Sequence, residues 1–121
     1  MKIYIGHSRK FNYKTELYQP IRQSRLNNEH KIIFPHESDE YIETKNIIKK
    51  SDIMVAEVSF PSAGLGTELT WANSLGCPIL CIYRKGAKPP GSLKVACDTF
   101  IEYTDLDDMV NKIESALKTR G

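Results

Sequence analysis

The sequence has no hydrophobic run long enough to span a membrane, and it has no strong excess of charge of one sign. Its 17 lysines and arginines stand against 15 aspartates and glutamates, so the net charge is +2, spread along the chain rather than clustered. Such a distribution supplies neither a basic stripe for nucleic acid nor a polybasic membrane patch. We therefore expect no nucleic-acid partner and no membrane partner.

Cysteine is scarce as well: the three residues are Cys77, Cys81 and Cys97. Their spacing does not form a metal-ligand pattern, and neither do the three scattered histidines, so we expect no metal and no cofactor. Cys77 and Cys81 lie in or beside a predicted buried strand, which is typical of small apolar side chains in a reducing compartment. The start of the chain, Met1–Gly6, is too short and too soon followed by polar residues for a signal peptide. We therefore expect a cytoplasmic protein.

At 121 residues the chain has the length of one domain, and no linker, repeat or low-complexity segment divides it, so we expect a single domain over residues 1–121. Five short runs rich in Ile, Val, Phe and Tyr predict strands. These runs are Lys2–Ile5, Lys31–Phe34, Ile53–Val58, Pro78–Tyr83 and Thr99–Tyr103. The predicted helices between and after them are Lys14–Asn28, Glu40–Lys50, Ser62–Leu75 and Leu106–Lys118.

The alternation of strand and helix indicates an α/β fold. The central strands are nearly continuous apolar runs, as expected for parallel strands that helices cover on both faces. We therefore predict a three-layer α/β/α sandwich around a five-stranded parallel sheet, Rossmann-like or flavodoxin-like, with strand order 2-1-3-4-5. Ligands in such folds bind beyond the carboxyl ends of the strands. Three of the four loops there combine small or hydroxyl residues with a cation, which suits a phosphate but is also typical of solvated loops.

The most informative stretch is the helix that begins near Ser62. Projected at 3.6 residues per turn, Glu68 falls inside an apolar arc of this helix. The arc consists of Leu65, Leu69, Ala72 and Leu75. A carboxylate on the core side of a helix is costly unless it is paired or used, so Glu68 is a candidate functional residue rather than a mere balance to the helix dipole. Burial should raise its pKa and the helix N-terminus should lower it; we expect the second effect to keep Glu68 ionised at neutral pH.

The turn that leads into this helix is rich in small residues. Gly64 and Gly66 let the backbone approach a ligand, and the free N–H groups of the helix start favour an anion. Ser62 can donate a hydrogen bond to a phosphate there, or it can simply cap the helix. The spacing leaves both interpretations open.

The run from Ser51 to Tyr83 carries three motifs in register: an aspartate followed by apolar residues and V-A-E-V, then P-S-x-G-x-G-x-E-L, then G-x-P-I-L-C-x-Y. With these motifs the chain resembles the nucleoside 2-deoxyribosyltransferase superfamily, and most of all its 2′-deoxynucleoside 5′-phosphate N-hydrolase branch. Tyr4 in the opening strand and Ser92 after the fourth strand extend the resemblance. It implies a homodimer that acts on a small-molecule nucleotide.

The resemblance also implies a role for each matching residue. Glu68 matches the catalytic nucleophile, which attacks the anomeric carbon, and Tyr4 matches the tyrosine that positions it. Ser62 matches a serine that binds the 5′-phosphate, where the transferases have an acid. Ser92 matches another phosphate-binding serine, which reaches across from the neighbouring subunit. The remaining expected substrate and phosphate contacts are Gly6, Ser8, Arg9, Lys10, Gly64 and Gly66.

One position departs from the family pattern. Where the family carries an aspartate that is thought to contact the leaving base, this chain has Thr44, with Glu43 beside it and Asp39 about a turn earlier as candidate substitutes. We predict hydrolysis of the N-glycosidic bond of deoxynucleoside 5′-monophosphates to a free base and deoxyribose 5-phosphate. Base exchange between deoxynucleosides and a catalytically silent nucleotide-binding module are the alternatives, and a ribonucleotide substrate also stays open.

Overall fold

The computed structural model describes residues 1–38, 42–97 and 99–120, and within them the chain folds around one parallel β-sheet. Its strands are β1 (Lys2–His7), β2 (Lys31–Ile33), β3 (Ile53–Glu57), β4 (Ile79–Arg84) and β5 (Thr99–Tyr103). They lie in the order β2-β1-β3-β4-β5, and all neighbouring strands run parallel. The predicted α/β class, the parallel sheet and the strand order are confirmed.

Helices cover both faces of this sheet. They are a π-helical turn (Lys14–Tyr18) that continues into α1 (Gln19–Arg22), then α2 (Arg25–Glu29), α3 (Thr44–Lys49), α4 (Ala63–Ser74), a 3-10 helical turn (Gly91–Val95) and α5 (Leu106–Arg120). Within the described ranges, no helix combines the length and the apolarity that crossing a membrane requires.

The predicted helix Lys14–Asn28 is wrong in its continuity, because the chain leaves helical geometry between α1 and α2. Ser24 adopts an extended backbone (φ −101°, ψ 173°), and its Oγ accepts a hydrogen bond from the backbone N–H of Leu26 at 3.2 Å. Serine competes for backbone hydrogen bonds outside helices, so it is favoured at caps. Ser24 therefore separates the two helices and caps the second.

The other predicted elements differ from the structure mainly at their ends. β1 continues two residues beyond the predicted Ile5, to His7. The predicted helix Glu40–Lys50 starts at a residue outside the described part of the chain, and α3 accounts for its second half. The predicted loop after β4 ends in the 3-10 turn, which contains Ser92.

Successive side chains of β1 point to opposite faces of the sheet, so the core consists of two layers, one on each face. Ile3 and Ile5 pack in one apolar cluster with side chains of α1, α2 and α5, whereas Tyr4 packs in a second cluster with side chains of α3 and α4. Strands that are buried on both faces in this way have nearly continuous apolar sequences. Because the strands are parallel, their carboxyl ends meet at one edge of the sheet, where His7 of β1 lies beside Glu57 of β3. The loops that follow these strands converge at that edge.

Candidate active site

The structure brings Glu68 of α4 and Tyr4 of β1 together. Tyr4 is fully buried, and its Oη donates a hydrogen bond to Glu68 Oε2 at 2.9 Å. Glu68 itself is half-buried, in the second turn of α4. The predicted apolar arc around it is confirmed for the first three residues of the arc, which are buried, while Leu75 at the end of the helix is half-buried. The carboxylate thus faces the sheet rather than bulk solvent.

Gly6 packs tightly against Met54 of β3 and lies close to Glu68. A Cβ atom at Gly6 would lie 2.1 Å from Cε of Met54 and 3.7 Å from Oε1 of Glu68. Any larger residue would therefore displace the side chain of this buried methionine. The predicted site residue Gly6 is next to Glu68, as expected for a residue that leaves room at a reactive carboxylate.

The pKa of Glu68 is raised to about 7, because burial disfavours the charged form more than the Tyr4 hydrogen bond favours it. The expectation that the helix N-terminus would outweigh burial and keep Glu68 ionised at neutral pH is therefore wrong, because burial has the larger effect. The field of a helix terminus fades within the first turn, and Glu68 lies in the second. The pKa of Tyr4 is raised well above its usual value by burial and by the neighbouring Glu68 carboxylate. Glu68 consequently titrates near neutral pH beside a tyrosine that keeps its proton.

A pocket of about 400 Å³ opens over Glu68. Its lining residues are Ile42, Glu43, Thr44, Lys45, Gly64, Thr67, Glu68 and Trp71. Burial raises the pKa of Tyr4, and the nearby Thr44 hydroxyl acts against this rise. Glu43 also lines the pocket, whereas the third candidate for leaving-group contact, Asp39, lies outside the described residues.

Lys45, Thr67 and Trp71 line the pocket although the sequence analysis did not select them. Trp71 lies three residues after Glu68 in α4, and Gly64 lies four residues before Glu68. Helical spacing therefore places Trp71 and Gly64 next to the Glu68 side chain. Lys45 follows Thr44 directly, and its Nζ lies 6.0 Å from the centroid of the Trp71 ring. Helical periodicity around Glu68 was the signal that could have found Trp71.

Four of the predicted phosphate-binding residues lie in two loops: Ser8, Arg9 and Lys10 follow β1, and Ser62 follows β3. Ser62 caps α4, since its Oγ accepts a hydrogen bond from Leu65 N at 3.2 Å. Ser8 is buried, and its Oγ accepts from Lys10 N at 3.0 Å. The Lys10 Nζ donates to Pro61 O at 2.9 Å, so it bridges the two loops. The capping interpretation of Ser62 is confirmed, and its contact with a phosphate stays a prediction.

The other predicted contacts lie further apart. Arg9 is exposed and close enough to His36 to lower its pKa, although burial lowers the pKa of His36 more. Gly66 is half-buried within the second turn of α4. Ser92 is exposed in the 3-10 turn and is not among the described residues that line the Glu68 pocket.

His7 lies at the same edge of the sheet but is buried among aromatic rings. Its Nδ1 donates to Ser8 O at 2.8 Å, so Nε2 accepts from the Tyr18 hydroxyl at 2.5 Å. Burial lowers the pKa of His7 to about 4, and the ring is therefore neutral at physiological pH. Tyr18 Oη in turn accepts from His36 N at 2.9 Å, which attaches the loop after β2 to the end of β1.

Among the described residues, no group of three or more His, Cys, Asp or Glu side chains is placed to hold a metal ion.

Replacing Glu68 with Gln should stabilise the protein above neutral pH. Because the pKa of Glu68 is raised by folding, the folded chain holds this proton more tightly, and the resulting stability is lost as the pH rises from about 5 through about 7. We expect the Glu68→Gln variant to exceed the parent by about 1–3 kcal/mol in unfolding free energy at about pH 8, and to equal it near pH 4. Urea denaturation at both pH values measures this, with the exposed Glu29→Gln as the control. An equal gain at both pH values would contradict the prediction.

No protein-family model matches the chain. A protein of Syntrophotalea carbinolica named "Putative 2'-deoxynucleoside 5'-phosphate N-hydrolase 1" is 38% identical over 72 residues, which cover 57% of this chain and 51% of that protein. The 5-hydroxymethyl-dUMP N-hydrolase of Rattus norvegicus is 47% identical over 51 residues, which cover 42% of this chain and 28% of that protein. The chain therefore spans about half, or less, of the length of these curated relatives.

Solved structures share the fold at lower sequence identity. The CMP N-glycosidase of Clostridium botulinum has a TM-score of 0.68 at 16% identity, covering 94% of this chain and 99% of that one. A 2-deoxyribosyltransferase of Bacillus psychrosaccharolyticus has a TM-score of 0.64 at 21% identity, covering 92% and 91%. At such identities the likeness shows the fold alone. The resemblance to 2′-deoxynucleoside 5′-phosphate N-hydrolases is confirmed by the curated relatives, and the predicted fold by the solved structures.

Proposed function

We propose that this chain hydrolyses the N-glycosidic bond of (2′-deoxy)nucleoside 5′-monophosphates to a free base and (deoxy)ribose 5-phosphate. The observation that carries the proposal is the half-buried Glu68 carboxylate, held by the Tyr4 hydroxyl at 2.9 Å at the base of an open pocket. A carboxylate with a pKa of about 7 is ionised in a large fraction of molecules at neutral pH and is poorly solvated, which favours attack on an electrophilic carbon. The names of the curated relatives support the same reaction class.

In the proposed reaction Glu68 attacks the anomeric carbon of the sugar. Because Tyr4 binds Oε2, we assign the attack to Oε1, which faces Gly6. The bond from the anomeric carbon to the base nitrogen breaks, and its electron pair leaves with the base, which takes up a proton. A water molecule then attacks the same carbon, breaks the glycosyl ester and returns the Glu68 carboxylate, as in retaining glycoside hydrolysis.

A 5′-phosphate fits the polar groups around the start of α4. The Ser62 hydroxyl caps this helix, whose N-terminal N–H groups attract an anion, and Ser8, Arg9 and Lys10 lie in the neighbouring loop. An acid at the place of Ser62 would repel a phosphate, whereas a hydroxyl can donate to it. The serine at position 62, in place of an acid, therefore favours hydrolysis of nucleotides over base exchange between nucleosides. Adding an acceptor base and searching for an exchanged nucleoside distinguishes the two reactions.

Thr44 supports a second candidate, a nucleotide-binding module without catalysis. Threonine cannot protonate a departing base, and general acid catalysis typically contributes about 10²–10⁴-fold to a rate. Glu43, which also lines the pocket, offers an alternative carboxyl group. Release of free base from a panel of nucleoside monophosphates, followed by chromatography, separates the enzyme from the binding module.

We further propose that the enzyme is a cytoplasmic homodimer. Ser92 is exposed and is not among the described residues that line the Glu68 pocket. The family resemblance implies that Ser92 binds phosphate in the pocket of a neighbouring subunit, which supports a dimer.

Replacing Glu68 with Gln or Ala should abolish base release. Glutamine keeps the size of the side chain and can still accept the Tyr4 hydrogen bond, but it cannot form the glycosyl ester. Chromatography of a nucleoside monophosphate panel measures the loss, and Glu29→Gln on an exposed helix end is the matched control with parental activity. Parental rates in the Glu68 variants would exclude this residue as the nucleophile.

Replacing Tyr4 with Phe should shift the pH dependence of kcat/KM. The hydrogen bond from Tyr4 lowers the pKa of Glu68, and burial alone would raise that pKa above about 7. Activity that requires the ionised carboxylate rises with pH through this pKa, so the rising limb should move to higher pH by up to about one unit in Tyr4→Phe. Rates measured between about pH 5 and pH 9 test this. If the rising limb of kcat/KM moved to lower pH in Tyr4→Phe, the proposal that activity requires the ionised Glu68 carboxylate would be overturned.

Replacing Ser62 with Asp should reduce use of nucleotides without weakening the fold. Aspartate caps a helix as well as serine does, so thermal stability should be retained. Its charge should lower kcat/KM for a nucleoside monophosphate by about 10- to 100-fold, since like charges in contact cost several kcal/mol, and it should spare the matching nucleoside. Ser62→Asn keeps a neutral cap and is the control. Equal losses in the Asp and Asn variants would show that charge at this position is irrelevant.

A further inference from the structure

A second polar network lies at the same edge of the sheet, outside the Glu68 pocket. Its centre is Glu57, the last residue of β3, whose side chain is 1% exposed. The Glu57 carboxylate accepts hydrogen bonds from Ser59 N at 2.6 Å, from Ser59 Oγ at 3.0 Å and from the Tyr103 hydroxyl. Burying a carboxylate is costly unless its oxygens are satisfied, and here three donors satisfy them.

This network fixes the loop that leads to Ser62. Ser59 Oγ donates to Glu57 and accepts from the backbone N–H of Arg84 at 2.8 Å. Ser59, two residues after the end of β3, is therefore bonded directly to β3 and β4, and it is linked to Tyr103 of β5 through Glu57. Ser62 follows only three residues later, so the anchor sets where the cap of α4 begins.

The Arg84 side chain fixes the loop after β1 against the same segment. The rings of Phe11 and Phe60 stack with centroids 4.9 Å apart, and the Arg84 guanidinium carbon lies 5.3 Å and 5.0 Å from them. A Glu16 oxygen lies 3.1 Å from Arg84 Nη2 as an ion pair, although Nη2 is buried and has no hydrogen-bond partner among the described residues. The guanidinium therefore lies between the loop after β1 and the segment after β3, where it can position both.

We propose that Glu57 and Arg84 are positioning residues for recognition of the 5′-phosphate, an inference that rests on the proposed function. They act through Ser59, Phe11 and Phe60, which belong to the two loops that carry the hydroxyl and cationic groups for the phosphate. Lys10 adds a third connection through its hydrogen bond to Pro61 O. The phosphate oxygens require donors at defined positions, so loosening either loop weakens binding of the phosphate more than it affects the sugar at Glu68.

Three variants test this proposal in the full chain. Glu57→Gln removes the buried charge, Tyr103→Phe removes one donor and keeps the ring, and Arg84→Lys keeps the charge and removes the planar guanidinium that stacks on the rings. Tyr83→Phe is the matched control, because it is the same substitution in neighbouring β4 and its ring packs in the cluster on the other face of the sheet. Thermal unfolding of each variant establishes that it is folded.

We expect the KM for a deoxynucleoside monophosphate to rise about tenfold in Glu57→Gln and several-fold in Tyr103→Phe and Arg84→Lys, in line with the usual contribution of hydrogen bonds to charged groups. The kcat, and kcat/KM for the matching nucleoside, should change by less than about twofold, and Tyr83→Phe should match the parent. Equal losses on nucleotide and nucleoside would show a merely structural network and overturn the proposal. If Glu57→Gln does not fold, the same comparison of nucleotide and nucleoside kinetics in Tyr103→Phe and Arg84→Lys tests the proposal.

A binding experiment keeps this inference separate from the proposed function. Calorimetric titration with 2-deoxyribose 5-phosphate, and with 2-deoxyribose as the phosphate-free probe, needs no turnover. Phosphate-dependent binding that the three variants weaken would support the positioning role even if the parent released no base. Unchanged binding in folded variants, or no phosphate-dependent binding by the parent, would overturn it.

Discussion

The hydrogen bond between Tyr4 and Glu68 is the interaction on which the candidate site depends. It joins the first strand to the helix after the third strand, across 64 positions of sequence, and holds a carboxylate where water reaches it poorly. Burial raises the pKa of Glu68 to about 7, whereas the tyrosine acts in the opposite direction. The molecule therefore keeps a costly charge near the sheet, which proteins tend to retain where chemistry needs it. Gly6 lies next to the Glu68 carboxylate, and Thr44 lies next to the Tyr4 hydroxyl.

The parallel sheet explains why distant segments meet at this site. All five strands of the described chain point the same way, so the loops after β1, β3 and β4 leave from one edge. Two sets of contacts then order these loops: the Glu68 pair under the pocket, and the Glu57 and Arg84 network beside it. The first set holds the Glu68 carboxylate and the second holds loop backbone. This division agrees with the proposed substrate, which has a sugar carbon and a phosphate.

Much of the fold could be predicted because local pattern and global architecture agree. The strands of the centre are apolar on both faces, which requires helices on both sides and parallel pairing. The predicted helix Lys14–Asn28 is interrupted because Ser24 has an extended backbone and its Oγ accepts a hydrogen bond from Leu26 N, which caps a new helix. The pairing of Glu68 with Tyr4 followed from family resemblance rather than from spacing, since no local rule connects residues so far apart. The Glu57 network was missed for the same reason.

The fold class and the side of α4 on which Glu68 lies could be predicted from the sequence, because the first follows from alternating strands and helices and the second from the helical period of 3.6 residues. The depth at which Glu68 is buried, and therefore its pKa, became known only from the packed structure. The same holds for the contacts of the Arg84 guanidinium with Phe11, Phe60 and Glu16. Burial and hydrogen bonding arise from atoms that are distant in sequence, and no local pattern records them.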